Sequence, residues 1–232
     1  MQQFENEQLN TVNNAVAMAE ELVSNAYKMS ENQWLRRRYD VSTLAELDAD
    51  EIVDGPFAQV IRFSGRLKGT SLGSSAYDYY KICLQDHSIL AALQESPGMQ
   101  LFPLVLYITT HELIHIVRFS KFLQSFDATP EETLVEENRV HAKTRQILIP
   151  VNVTGLDNVL EFYGKWHDPS RASIHREVLD NRRSLPILAV KTDAPAIDQC
   201  LLCRGNLCRF TNTNAPLVAG SRKPSRNSRT GR

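Results

Sequence analysis

The feature that most constrains this chain is an apolar stretch, residues 101–126, that carries the pattern H-E-x-x-H at His111, Glu112 and His115. Apolar residues fall on nearly every side of a helix drawn through this stretch, which predicts a helix buried in a core. Two histidines and a glutamate in such a place cost free energy unless they are paired or bind a metal. Residues four apart share one face of a helix, so both imidazoles can reach a single ion.

The motif and its flanks resemble the zincin metallopeptidases, in which H-E-x-x-H lies on a buried helix. Uncharged residues, Leu113 and Ile114, occupy the two variable positions, as they do in that family. The resemblance implies a zinc ion bound by His111 and His115, with Glu112 as the general base. Zinc suits such a site because it takes nitrogen and oxygen ligands tetrahedrally, and catalytic sites leave one position open for water.

A second helix is predicted directly after the first. Thr129 is a suitable N-cap, Pro130 occupies the first helical position, and Glu132 completes a capping box. We expect this helix to end near Ile147, and the short turn makes the two helices an antiparallel hairpin. The predicted fold is mainly α: a compact helical domain with the H-E-x-x-H helix buried at its centre, in this hairpin. A small β element is a further expectation.

The hairpin limits the choice of a third metal ligand. Facing residues lie equally far from the turn, which leaves Glu136, Glu137 and His141 open, with Glu132 nearer the turn. The arrangement resembles the gluzincins, whose second helix supplies a glutamate, and this resemblance implies Glu137. In that family an acidic residue commonly follows four positions later and orients a ligand histidine. Because His141 stands there instead, it is itself an alternative ligand or a donor to the transition state.

The segment before the metal helix supplies further candidates. A helix is predicted from Tyr77 to Gln94, with Tyr80 and His87 on its apolar face. Both are candidates for contacts with the metal ligands or with the transition state. The short segment from Pro56 to Phe63 is a candidate for the edge strand that holds the substrate backbone in zincins. Additional helices are expected at residues 8–27 and 156–163.

Charge divides the chain into two predicted regions. Residues 1–166 carry 14 Lys and Arg against 22 Asp and Glu, whereas residues 167–232 carry 12 against 5. We therefore predict an acidic helical domain, 1–166, and a basic, poorly ordered tail, 167–232, with one possible strand at 185–190. The tail has only one aromatic residue, Phe210, and no pattern of aromatic residues interleaved with its charges, so a nucleic-acid partner is not expected.

The tail also contains a cysteine cluster, Cys200, Cys203 and Cys208. Three thiolates at this spacing are a weak signal for a second metal site, because a structural zinc site normally has four ligands. Uncommitted thiols are the competing interpretation.

The chain shows no secretory signal, and its first residues are polar and acidic. The run Leu101 to Ile108 is too short to span a membrane, and polar residues follow it directly. With only four cysteines, the chain is expected to occupy a reducing compartment, the cytoplasm.

The function predicted from these residues is zinc-dependent hydrolysis, with a peptide or protein as the substrate. Two alternatives stay open. Glu112-x-x-His115 is also the spacing found in di-iron and di-manganese helical bundles, where Glu137 would bridge the ions, although a second Glu-x-x-His is missing. The other alternative is a non-catalytic helical module that binds a metal in a regulatory role.

Overall fold

The structure is a computed structural model that describes residues 1–30, 39–66, 76–125, 128–166 and 189–191. Within these ranges the helices are α1 (Asn6–Tyr27), α2 (Asp86–Glu95), α3 (Leu101–Ser120), α4 (Pro130–Leu148) and α5 (Leu156–Trp166). The strands are β1 (Tyr39–Ser42), β2 (Ala58–Arg66), β3 (Ala76–Leu84) and β4 (Ala189–Lys191). The mainly α fold predicted from the sequence is therefore confirmed, with a small sheet beside the helices.

Helix α3 is the central element of the core. Almost every residue from Pro103 to Phe119 is buried, as expected for a helix that is hydrophobic all round. Helix α1 packs along it through one apolar stripe of small and branched residues, Val12, Ala15, Ala19 and Val23. The sheet, α4 and α5 also pack against α3. The H-E-x-x-H motif is thus enclosed by other elements.

The sheet has the strand order β1-β3-β2-β4. Strands β2 and β3 pair antiparallel along their whole length, while β1 is parallel to β3 and β4 is parallel to β2. Side chains alternate between the two faces of a strand. Accordingly, Val60 and Ile82 join the core that surrounds α3, whereas Ile61 and Cys83 belong to a separate apolar cluster.

Two predictions about this region are wrong. The helix predicted from Tyr77 to Gln94 is strand β3 followed by the shorter helix α2. The first half of the predicted helix is rich in aromatic and branched residues, which fit a pleated surface once β2 is available to pair with it. The segment Pro56 to Phe63 does contribute most of strand β2. This strand, however, lies inside the sheet between β3 and β4 and is not an edge strand.

The antiparallel hairpin of α3 and α4 is confirmed. Arg118 near the end of α3 contacts Glu136 early in α4, and Tyr107 near the start of α3 contacts His141 later in α4. The predicted capping box is present as well: the backbone N–H of Glu132 donates to Thr129 Oγ1, and the backbone N–H of Thr129 donates to the Glu132 carboxylate. The helices predicted at residues 8–27 and 156–163 correspond to α1 and α5.

Helix α3 ends at Ser120, six residues earlier than predicted. The N–H of Leu123 donates to the carbonyl of Arg118 at 2.9 Å, and the N–H of Phe122 donates to that of Phe119 at 3.0 Å. This pair of bonds is the Schellman motif. It places Phe122 at φ +56°, a left-handed conformation usually taken by glycine.

By its internal contacts, the chain separates into the units Met1–Ala194 and Pro195–Arg232. The second unit, including Cys200, Cys203 and Cys208, lies outside the described residues, as does most of the predicted tail. The boundary predicted at residue 166 therefore stays a prediction. No helix among the described residues has the length and apolar character needed to cross a membrane.

We expect Phe122→Gly to stabilise the protein by about 1 kcal/mol. The left-handed conformation costs a residue with a Cβ about 1–2 kcal/mol, and the added freedom of glycine in the unfolded chain returns only part of this. The phenyl ring is 95% exposed, so its loss removes little packing. Urea denaturation of both proteins measures the difference. The control is Lys121→Gly, at φ −97°, which should destabilise; a Phe122→Gly protein no more stable than the parent would contradict the prediction.

Candidate metal centre

Helix α3 presents His111 and His115 on one face, one turn apart. Their exposed fractions are 6% and 1%, so both imidazoles lie in the core. The two Nε2 atoms are 3.1 Å apart. Two imidazole nitrogens this close need a hydrogen or a metal ion between them, because two lone pairs repel. Either an N–H of one ring or a shared cation satisfies this contact.

Helix α4 supplies a carboxylate to the same point. Glu137 Oε2 lies 3.2 Å from His111 Nε2, and Glu137 Oε1 lies 3.2 Å from His115 Nε2. Tetrahedral ligands about 2.0–2.1 Å from zinc are about 3.3 Å from one another. The two imidazoles, and each imidazole with the nearer oxygen of Glu137, thus have the spacing of neighbouring ligands to one ion.

The charges of this cluster are strongly coupled. Burial alone would raise the pKa of Glu137, but hydrogen bonds from His111 and His115 hold it well below its usual value. Burial opposes the charged form of His115, yet Glu137 raises the pKa of this imidazole from 6.5 to about 9. Without a metal, the carboxylate therefore keeps a proton on His115, in the place that a cation would take.

Glu112 lies beside the cluster and is 5% exposed. Its Oε2 atom is buried and has no hydrogen-bond partner among the described residues. Burial raises the pKa of Glu112, while the adjacent His111 and His115 oppose this rise. A buried carboxylate oxygen without a donor is costly, and such groups are found where a water or a substrate completes the site.

His141 adds a further nitrogen to the centre. His111, Glu137 and His141 each offer a donor atom within 4.8 Å of the others, a group that can hold a metal ion. The ring of His141 lies against that of His111, with centroids 4.2 Å apart. Its Nδ1 is 2.9 Å from the hydroxyl of Tyr107. This contact holds the ring in place and directs its Nε2 edge away from Tyr107.

An aromatic wall, formed by Tyr107 and Tyr163, closes this side of the centre. The two rings stack with centroids 3.9 Å apart, and Tyr163 comes from α5. Burial, together with neighbouring Tyr107 and Glu112, raises the pKa of Tyr163 well above its usual value. No periodic pattern in the sequence distinguishes Tyr107 or Tyr163 from ordinary core residues, because their place in this wall depends on the packing of α5 on α3.

Glu136, the alternative ligand, has other partners. Its two oxygens contact Arg118 Nε and, at 3.3 Å, Arg139 Nη1. This arrangement neutralises a buried carboxylate and ties α4 to the end of α3. The structure therefore brings Glu137, and not Glu136, to the histidine pair.

Tyr80 and His87 lie elsewhere. Tyr80 is on β3 and stacks on Phe119, whose ring in turn stacks on His115, each at 6.1 Å between centroids. Tyr80 is thus separated from His115 by the ring of Phe119. His87 Nε2 lies 3.3 Å from the Asp54 carboxylate. Both residues were predicted on one face because Tyr77 to Gln94 was predicted to be a single helix, whereas the structure divides it into β3 and α2.

One contact to the centre was missed altogether: Gln124, in the turn after α3, lies 3.1 Å from His115 Nδ1. The predicted helix extended through this residue, so nothing in the pattern placed it near the histidines.

Comparison of the chain with protein-family models, curated proteins and solved structures gave no match. The geometry of the centre is therefore the basis for a functional assignment.

We expect the stability of the metal-free protein to depend on pH through this cluster. The pKa of His115 is raised, so its contribution is complete below 6.5 and is lost as the pH rises toward about 9. The pKa of Glu137 is lowered, so its contribution is complete above 4.5 and is lost in acid. The melting temperature, measured with a chelator present, should therefore fall between pH 6.5 and 9.

Glu137→Gln should remove this part of the pH dependence, whereas Glu131→Gln, an exposed change on the same helix, should retain it. Parallel pH curves for the parent and Glu137→Gln would show that the cluster is not paired as described.

Proposed function

We propose that this protein is a zinc-dependent hydrolase that cleaves peptide bonds. His111, His115 and Glu137 would hold the ion. A zinc ion held there would supply a Lewis acid, which can polarise a carbonyl group and lower the pKa of water. The observation that carries the proposal is the donor spacing of 3.1–3.2 Å, beside a buried carboxylate oxygen that has no partner among the described residues.

Glu112 is the proposed general base. Its unpartnered Oε2 can accept a proton from water and pass it to the leaving amine. Burial raises the pKa of Glu112, and a raised pKa makes the carboxylate a stronger proton acceptor than an exposed glutamate. His111 and His115 act in the opposite direction and limit this rise in the pKa of Glu112.

The substrate class rests on the resemblance of the α3–α4 hairpin to gluzincin metallopeptidases, which hydrolyse peptide bonds. The hairpin supplies two histidines from one helix and a glutamate from the next, as that resemblance implies. His141 departs from the pattern. Held by Tyr107 at 2.9 Å and tilted against the ring of His111, it is positioned to donate a hydrogen bond to a developing oxyanion.

The position of His141 also favours a second candidate function. If His141 bound the same ion as His111, His115 and Glu137, the protein would supply all four ligands. Structural zinc sites are closed in this way, whereas catalytic sites keep an open position. The protein would then be a non-catalytic metal-binding module.

The first test is metal content. We expect the purified, untagged protein to hold one zinc ion per chain, and His111→Ala, His115→Ala or Glu137→Ala to lose it. Inductively coupled plasma mass spectrometry measures the ratio. Two iron or manganese ions per chain would support the carboxylate-bridged alternative instead, and a metal-free protein that stays empty with added zinc would refute the proposal.

The second test separates catalysis from metal binding. We expect Glu112→Gln to retain zinc and to lower kcat for cleavage of a quenched fluorescent peptide library by about 10²–10⁴-fold, because the amide cannot accept the proton. Glu131→Gln, which lies on the exposed surface, is the matched control and should leave kcat unchanged.

Equal peptide cleavage by the parent and Glu112→Gln would exclude Glu112 as the base. A zinc-loaded parent that cleaves nothing, and whose zinc affinity falls when His141 is changed to Ala, would favour the closed, non-catalytic site.

A further inference from the structure

Gln124 contacts a proposed metal ligand from a position outside the two helices of the hairpin. Its side-chain oxygen, Oε1, lies 3.1 Å from His115 Nδ1, while the opposite nitrogen of that ring, Nε2, faces His111 and Glu137. The imidazole of His115 is therefore held on both edges: one faces the proposed ion, and the other faces Gln124.

The chemistry of this contact determines where the ring carries its hydrogen. An amide oxygen accepts hydrogen bonds and cannot donate them, so His115 Nδ1–H is the donor to Gln124 Oε1. When the ring loses its second proton to bind a metal, the other nitrogen then has the free lone pair. That nitrogen is Nε2, which lies 3.2 Å from Glu137 and 3.1 Å from His111 Nε2. Gln124 thus selects the tautomer that can bind a metal.

The end of helix α3 makes this contact possible. Gln124 follows His115 by nine residues, and on a continuous helix it would lie about 13 Å farther along the axis. The helix instead ends at Ser120, and the Leu123 N–H bonds back to the Arg118 carbonyl at 2.9 Å. The left-handed conformation of Phe122 turns the chain back, which brings Gln124 alongside the histidine.

The other histidine has no such support. His111 Nδ1 is buried and has no hydrogen-bond partner within the part of the chain that the structure describes. Of the two histidines of the motif, His115 is therefore the one whose outer nitrogen is bound by a side chain. In metal proteins, partners of this kind fix the tautomer and the ring orientation, and removing them typically lowers metal affinity by about 10–100-fold.

We propose that Gln124 is a positioning residue for the metal centre: its amide oxygen fixes the tautomer and orientation of His115 and thereby sets the affinity for zinc. This inference rests on the proposed zinc site and adds a residue to it. It also gives the turn after α3 a defined role, because the turn carries the group that prepares His115 for the ion.

Two substitutions separate this role from simple packing. Gln124→Leu keeps most of the side-chain volume but removes the acceptor, and it should weaken zinc binding by about 10–100-fold. Gln124→Glu keeps an acceptor at the same distance, and it should bind zinc at least as tightly as the parent. If Gln124 only filled space, the opposite order would follow, with Leu tolerated and Glu harmful.

The measurement is the Kd for zinc, obtained by competition with a chromophoric chelator on the full-length protein. Leu123→Ala is the control, since it alters the same exposed turn without removing the acceptor. Its affinity should equal that of the parent. Circular dichroism of each metal-free variant establishes that it is folded. If Gln124→Leu does not fold, Gln124→Asn replaces it; its shorter amide cannot reach His115, and it should also bind more weakly.

The outcomes distinguish this inference from the proposed function. A parent protein that binds no zinc overturns the proposed function and this inference with it. A parent that binds zinc, with Gln124→Leu or Gln124→Asn equally tight, overturns only the role of Gln124. Weakening by Gln124→Glu as large as that by Gln124→Leu would also overturn it, because the acceptor would then make no difference.

Discussion

The structure depends on the contact of one carboxylate with two imidazoles inside the core. Glu137 lies 3.2 Å from His111 and from His115, where all three side chains are removed from water. Charged groups in such a place destabilise a fold unless each meets an opposite charge or a metal, and breaking a buried pair leaves an uncompensated charge. This contact therefore fixes how α3 and α4 face one another, since a shift of one residue in either helix would separate the charges.

The surrounding elements serve this contact in different ways. Helix α1 and the sheet remove α3 from solvent, and Arg118 with Glu136 fastens the end of α3 to α4. Helix α5 adds Tyr163, which stacks on Tyr107 and thereby supports the ring that holds His141. Glu112 lies beside the centre, and its buried Oε2 lacks a hydrogen-bond partner in the described residues. In this hairpin Glu136 therefore stabilises the packing of the two helices, whereas Glu112 is available for the proposed chemistry.

Much of this arrangement followed from local pattern. The spacing of His111 and His115, the apolar surface around them, and the capping box at Thr129 predicted a buried helix, a short turn and an antiparallel partner. Because facing residues lie equally far from the turn, the side chains predicted to face the two histidines were limited to three residues of the second helix. Prediction was weakest where a residue's neighbours come from distant parts of the chain. Strand β3 has aromatic residues at spacings that fit a helix too, and only its pairing with β2 decided between the two.

The sequence by itself determined the helical hairpin and the histidine pair, because periodicity, capping and a four-residue spacing act within a few turns of the chain. Only the tertiary structure decided which carboxylate meets that pair. Glu136 and Glu137 are neighbours in sequence, but the rotation of α4 against α3 turns the first toward Arg118 and the second toward the imidazoles. The same holds for Gln124, which reaches His115 because the chain reverses direction at Phe122. Hydrophobic periodicity does not predict such a reversal.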